Sequence, residues 1–130
     1  MMKYLLFIVC MCLPTSAWAL TASQIGVSVM IEYDEPTTSI DENGQGVPLD
    51  DLATTNISIE FNGSSVMADS ISATSPNGGG HIKHIMTVDM LMGQKKVFDV
   101  VVVATDESKN VSTPTTTSLL IDRQAPGPVQ

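Results

Sequence analysis

Apolar positions along this chain recur with a period of two. Ile25, Val27, Val29, Ile31 and Tyr33 alternate with mostly smaller or polar residues, apart from Met30. Thr55, Ile57, Ile59 and Phe61 alternate with Asn56, Ser58 and Glu60. A weaker run covers residues 66–73, and a less regular one carries Ile82, Ile85, Met86 and Val88. The strongest run is residues 97–105, where Val97, Phe98, Val100, Val101, Val102 and Val103 are apolar toward both faces. Residues 118–121 close the series. Short runs rich in β-branched residues, bounded by Gly, Pro, Asn and Asp, predict strands. Residues 86–92 hold a turn and a half of helical spacing, but Thr87, Val88 and Gly93 oppose a helix there. Many short strands without helices predict an all-β sandwich or barrel.

The breaks between strands are equally marked. Residues 34–51 form a long polar loop with Pro36, Gly44, Gly46 and Pro48. Asn62-Gly63 is a tight hairpin signal. Ser75-Pro76-Asn77-Gly78-Gly79-Gly80 excludes regular structure. Residues 106–110 form a turn. Residues 122–130, with Pro126 and Pro128, predict a stiff extended tail.

The first residues bear on compartment. Met1-Met2-Lys3 is a short positive start, residues 4–13 are apolar, Pro14 interrupts, and Ala17-Trp18-Ala19 places small residues where a signal peptidase reads. This is the pattern of a cleaved secretory signal over residues 1–19, and the apolar run is too short for a stable membrane span. The expected location is periplasmic or extracellular. Cys10 and Cys12 lie inside the apolar run, so both leave with the leader, and residues 20–130 hold no disulfide, thiol nucleophile or cysteine metal site. The formal charge of the chain is −8, and loss of Lys3 leaves the exported chain more negative by a single charge. Such a surface disfavours nucleic acid and anionic lipid as partners and favours basic ones.

Two stretches resemble bacterial and phage fibronectin type III domains. The first runs Val29-Met30-Ile31-Glu32-Tyr33-Asp34-Glu35-Pro36 into Asp41-Glu42-Asn43-Gly44-Gln45-Gly46-Val47-Pro48-Leu49-Asp50-Asp51-Leu52. The second alternates Phe98, Val100, Val102 and Ala104, then continues Asp106-Glu107-Ser108-Lys109-Asn110-Val111-Ser112. The resemblance implies an antiparallel, two-sheet, immunoglobulin-like sandwich of about seven strands over residues 20–121, with a short first strand. It also implies that the loops 34–51 and 106–110 share one end. Three positions depart from the family pattern: Tyr33 replaces its core tryptophan, Phe98 replaces a loop-tethering tyrosine, and Lys109 replaces a turn glycine.

Candidate chemistry is sparse. His81 and His84 are the only histidines, and a spacing of three on a strand points them to opposite faces, which leaves them as solvated residues at a loop edge rather than a metal pair. No Gly-x-Ser-x-Gly elbow occurs, and no nucleophile-and-base pair stands out, so no enzyme activity and no cofactor are expected. The expectation is a non-catalytic binding or spacer module with a protein or glycan partner. The candidate binding residues are the loop acids Asp34, Glu35, Asp41, Glu42, Asp50, Asp51, Asp106 and Glu107. Weak Ca²⁺ binding by those loops stays open, since Ca²⁺ takes several oxygen ligands, although the spacing of a calcium loop is missing. The alternative is a structural subunit of a surface or virion assembly that docks through strand edges.

Overall fold

The computed structural model describes residues 19–129. The expected leader therefore lies, except for Ala19, outside the described residues. The strands are β1 (Thr21–Ile25), β2 (Ser28–Asp34), β3 (Thr38–Ile40), β4 (Gly46–Pro48), β5 (Leu52–Phe61), β6 (Ser64–Ser72), β7 (His81–Thr87), β8 (Lys95–Asp106) and β9 (Thr115–Asp122). No helix occurs among the described residues. Three sheets result, ordered β1-β2-β7, β3-β4 and β6-β5-β8-β9, with every pairing antiparallel.

The first and third sheets face each other across one core. Val29, Ile31 and Tyr33 of β2 and Met86 of β7 enter from one side. Ile57 and Ile59 of β5, Phe98, Val100 and Val102 of β8, and Leu119 and Ile121 of β9 enter from the other. Ile31, Ile59 and Val100 are fully buried. These are the alternating residues of the sequence pattern, because a pleated strand sends every second side chain inward. The molecule is thus an all-β sandwich of seven strands, with a short first strand and an extra β3-β4 hairpin.

Several details differ from the pattern, each for a local reason. Ile25 and Val27 continue the period-two series into β2, yet they are 46% and 55% exposed. Gly26, at φ 59, turns the chain between β1 and β2 and carries both out of the core. The strand expected from Thr55 starts earlier, at Leu52. Leu52 and Thr55 both point inward despite a spacing of three, because the pairing of β5 with β8 shifts register between Leu52 and Thr54. Val88 and Met90 lie beyond the end of β7 and still reach the core, closing its lower end without a helix. Residues 34–51, expected as loop, contain the β3-β4 hairpin.

The turns use the residues their geometry requires. Asn62 and Gly63, at φ 52 and 81, both occupy the left-handed region that a two-residue hairpin loop needs. The turn after β8 is less well served. Lys109 stands at φ 74, in the left-handed region that costs a side-chain-bearing residue about 1 kcal/mol. Its amide donates to the Asp106 carbonyl at 3.0 Å, so the turn holds it there. Lys109→Gly is expected to raise stability by about 0.5–1 kcal/mol in urea unfolding. A loss of stability would show that the lysine side chain makes a contact worth more than the backbone strain.

Candidate functional site

Chain direction fixes which loops meet. β2, β6 and β8 end at one pole of the sandwich, so residues 35–51, 73–80 and 107–114 gather there. Eight of the fourteen acidic residues belong to this pole or its rim: the candidate set of the sequence. The structure joins two of the loops directly. The Glu107 amide donates to the Asp51 carbonyl at 2.8 Å, and Leu52 lies opposite Asp106 in the β5-β8 ladder. Asp50, Asp51, Asp106 and Glu107 therefore occupy neighbouring backbone, although they come from loops far apart in the sequence.

The eight acids do different things. Asp41 is half-buried at the tip of the β3-β4 hairpin, where its Oδ1 accepts the amides of Asn43 and Gln45, each at 2.9 Å. Glu42 beside it is exposed. Asp106 accepts the Asn110 amide and side chain, both at 2.9 Å, which closes the turn and holds the Asp106 carboxyl below its ordinary pKa. Asp50 and Glu107 are exposed, and Asp51 is half-buried.

Glu35 differs most from its sequence reading as a surface acid. It is 3% exposed. Its carboxylate accepts the Thr74 amide at 3.1 Å and the Gly80 amide at 2.9 Å, while its own amide donates to the Gly80 carbonyl at 3.0 Å. Backbone N–H groups thus surround the charge, and no Lys or Arg pairs with it among the described residues. Glu35 is a tether that fixes residues 74–80 to the end of β2. The Gly-rich run makes the tether possible. Gly78 stands at φ +81, and a Cβ there would come within 2.7 Å of Leu52 Cδ2. Beside this tether, the Tyr33 hydroxyl meets Thr55 Oγ1 at 2.6 Å and bonds the two sheets side chain to side chain. Burial raises the Tyr33 pKa, offset by that hydrogen bond and reinforced by the charge of Glu35.

His81, the first residue of β7, is exposed at the loop edge as expected, whereas His84 lies within the strand and is half-buried; both have carboxylate partners. His84 and Asp69 meet at 2.7 Å across the open edge between β7 and β6. On the outer face of the first sheet, His81 Nδ1 lies 2.7 Å from Asp34 and Nε2 3.0 Å from Glu32. Among the described residues, no group of three or more potential ligands is arranged to hold a metal ion.

The pole also holds a groove of about 570 Å³ that sequence reasoning missed. Pro36, Leu49, Leu52 and Ala104 line it, with Ile40 on β3 and Val111 after the 106–110 turn. Ile40 and Val111 are 72% and 62% exposed. The available signal was large exposed β-branched residues, Ile40 in the 34–51 loop and Val111 beside the 106–110 turn. A second hollow of about 360 Å³ adjoins it, sharing Pro36, Ala104, Ser112 and Thr113 and reaching Leu20 and Tyr33.

Against known proteins, no family model, no curated protein and no solved structure matches this chain.

Two outcomes follow from the side chains around this pole. Glu35→Ala removes the acceptor from two inward amides and is expected to cost about 2–3 kcal/mol in chemical unfolding; a change below about 0.5 kcal/mol would mean that water replaces the carboxylate. His81 has its pKa raised above the ordinary histidine value, chiefly by the hydrogen bond to Asp34 and then by that to Glu32. A raised folded-state pKa stabilises the fold fully below the unfolded value of about 6.5, and that stability is lost as pH rises through the folded value. The stability difference between the wild type and His81→Gln is thus expected to be larger at about pH 6 than at about pH 9. An equal difference at both would remove the charge-assisted pairing.

Proposed function

We propose that this protein is an exported, non-catalytic binding module of the fibronectin type III kind, which meets a basic protein or glycan partner at its acidic pole. The observation that carries the reading is the bond from the Glu107 amide to the Asp51 carbonyl, which brings separate acidic loops into one surface. The tether at Glu35 supports it by holding the pole's backbone in place before any partner arrives. A preformed site loses less conformational entropy on binding. The division into three and four core strands, with the polar loops gathered at one end, is consistent with the family resemblance. The rest of that resemblance lies in the sequence motifs. Export rests on the pattern of residues 1–19.

A second reading has its own observation. Val97 and Leu120 lie directly opposite each other in the β8-β9 ladder and are 58% and 47% exposed. An outward apolar pair on neighbouring strands suits a subunit that packs into an assembly. On that reading the acidic pole keeps the particles soluble and the sheet face makes the contact.

Substitution and salt separate the two. Binding of the exported form, residues 20–130, to proteins from its native source is expected to weaken with rising salt, because exposed charges are screened beyond about 8 Å at physiological ionic strength. Replacing both Asp50 and Asp51 with Asn is expected to weaken it by about 3–10-fold with stability nearly unchanged. Binding that ignores both changes and is lost in Val97→Asp would transfer the function to the sheet face.

A further inference from the structure

We infer that the groove between β3 and residues 110–113 receives an extended, cationic peptide segment of a partner protein, which pairs with the free edge of β3. The inference deepens the binding-module reading and rests on it. The first observation concerns backbone. The Leu49 amide donates to the Thr37 carbonyl and the Asp41 amide to the Gln45 carbonyl, each at 3.0 Å or less. In an antiparallel ladder, hydrogen-bonded pairs alternate with non-bonded ones. Thr38 opposite Pro48 and Ile40 opposite Gly46 are therefore the non-bonded pairs. The N–H and C=O groups of Thr38 and Ile40 point away from β4, and β4 is the single strand partner of β3 among the described residues. This is an open strand edge of three residues, and it forms one wall of the groove.

The second observation concerns side chains. Ile40 and Val111 are both largely exposed and both line this groove, together with Leu49, Leu52 and Ala104. An added strand would cover this surface with every second side chain, while its main chain bonded Thr38 and Ile40. The third observation is charge. Asp106 lines the groove, Asp41 and Glu42 continue from β3, and Asp50, Asp51 and Glu107 adjoin its floor and far wall. Lys109 is the one basic residue in these loops. An incoming strand with alternating apolar and basic residues satisfies all three features, whereas an acidic strand would be repelled.

Capped Lys-Val-Lys-Val-Lys peptide is the probe, titrated into ¹⁵N-labelled residues 20–130 and followed by NMR amide shifts. Two analogues carry N-methyl groups at alternate amides, one in each phase, which keeps charge and apolar surface while deleting donors. The parent peptide is expected to shift the amides of Thr38, Ile40, Val111 and Ser112. One analogue is expected to bind about tenfold more weakly, the loss of one or two net hydrogen bonds, and the other nearly as well as the parent. Equal binding of all three peptides, sensitive to Asp50→Asn with Asp51→Asn, would overturn strand pairing and leave the acidic-pole reading intact. A parent peptide that shifts no amide at the pole would overturn the inference and count against that reading too. Shifts of Thr38 and Ile40 that grow with protein concentration alone, with a larger size in solution, would assign the groove to a second copy and overturn the partner peptide.

Discussion

One buried carboxylate organises the acidic pole of this molecule. Glu35 directly follows β2, where an ordinary sandwich loop would turn a charged side chain to solvent. Here it turns inward and takes up the amides of Thr74 and Gly80. Burying an ionised group is costly unless hydrogen bonds replace its water, and two backbone amides supply them. The consequence spreads from there. The Gly-rich run is held against Leu52, Leu52 floors the groove, and Leu52 pairs with Asp106 at the end of β8. The acidic loops are thereby anchored on a fixed base, and their exposed charges stand at defined places.

The core supplies the rest of the stability by ordinary means. Two sheets that share no backbone ladder are held by the apolar side chains between them and by a few side-chain bonds across them. Tyr33 with Thr55 and His84 with Asp69 are such bonds, one inside and one at the open edge. Gln24 makes two backbone bonds to Asp122 and closes the opposite edge between β1 and β9. At the lower end, Arg123 exchanges backbone bonds with Gly93 and Gln94 and reaches the Met90 carbonyl, so the chain stays tied to the fold one residue past β9. Both cysteines lie before residue 20, so these non-covalent contacts carry the load.

The sequence made the fold class and most of the core legible, because alternation over β2, β5 and β8 is a direct record of the pleat. It was less informative where the chain leaves that period. Ile25 and Val27 fit the alternation but sit at a turn, and only the left-handed Gly26 between them marks the break. The 52–55 register shift and the inward Met90 depend on pairing that no single strand records. At the pole, composition pointed to the acids but could not sort them. Glu35 and Asp50 look alike in sequence; one tethers backbone and the other faces solvent. The groove was hidden because its lining comes from four separate stretches. Lys109 shows the reverse case, since a missing turn glycine could be read from the motif and the structure shows the positive φ it leaves behind.

The anchoring of the pole by Glu35 is tested most directly by hydrogen exchange at the Thr74 and Gly80 amides, followed by NMR in the wild type and in Glu35→Gln. Both amides are expected to exchange slowly in the wild type and markedly faster in the variant, while Ile31, Ile59 and Val100 stay protected. Exchange at the rate of exposed loop amides in the wild type would contradict it. The pole would then lack a fixed base, and the acidic loops would be no more than a solvated surface.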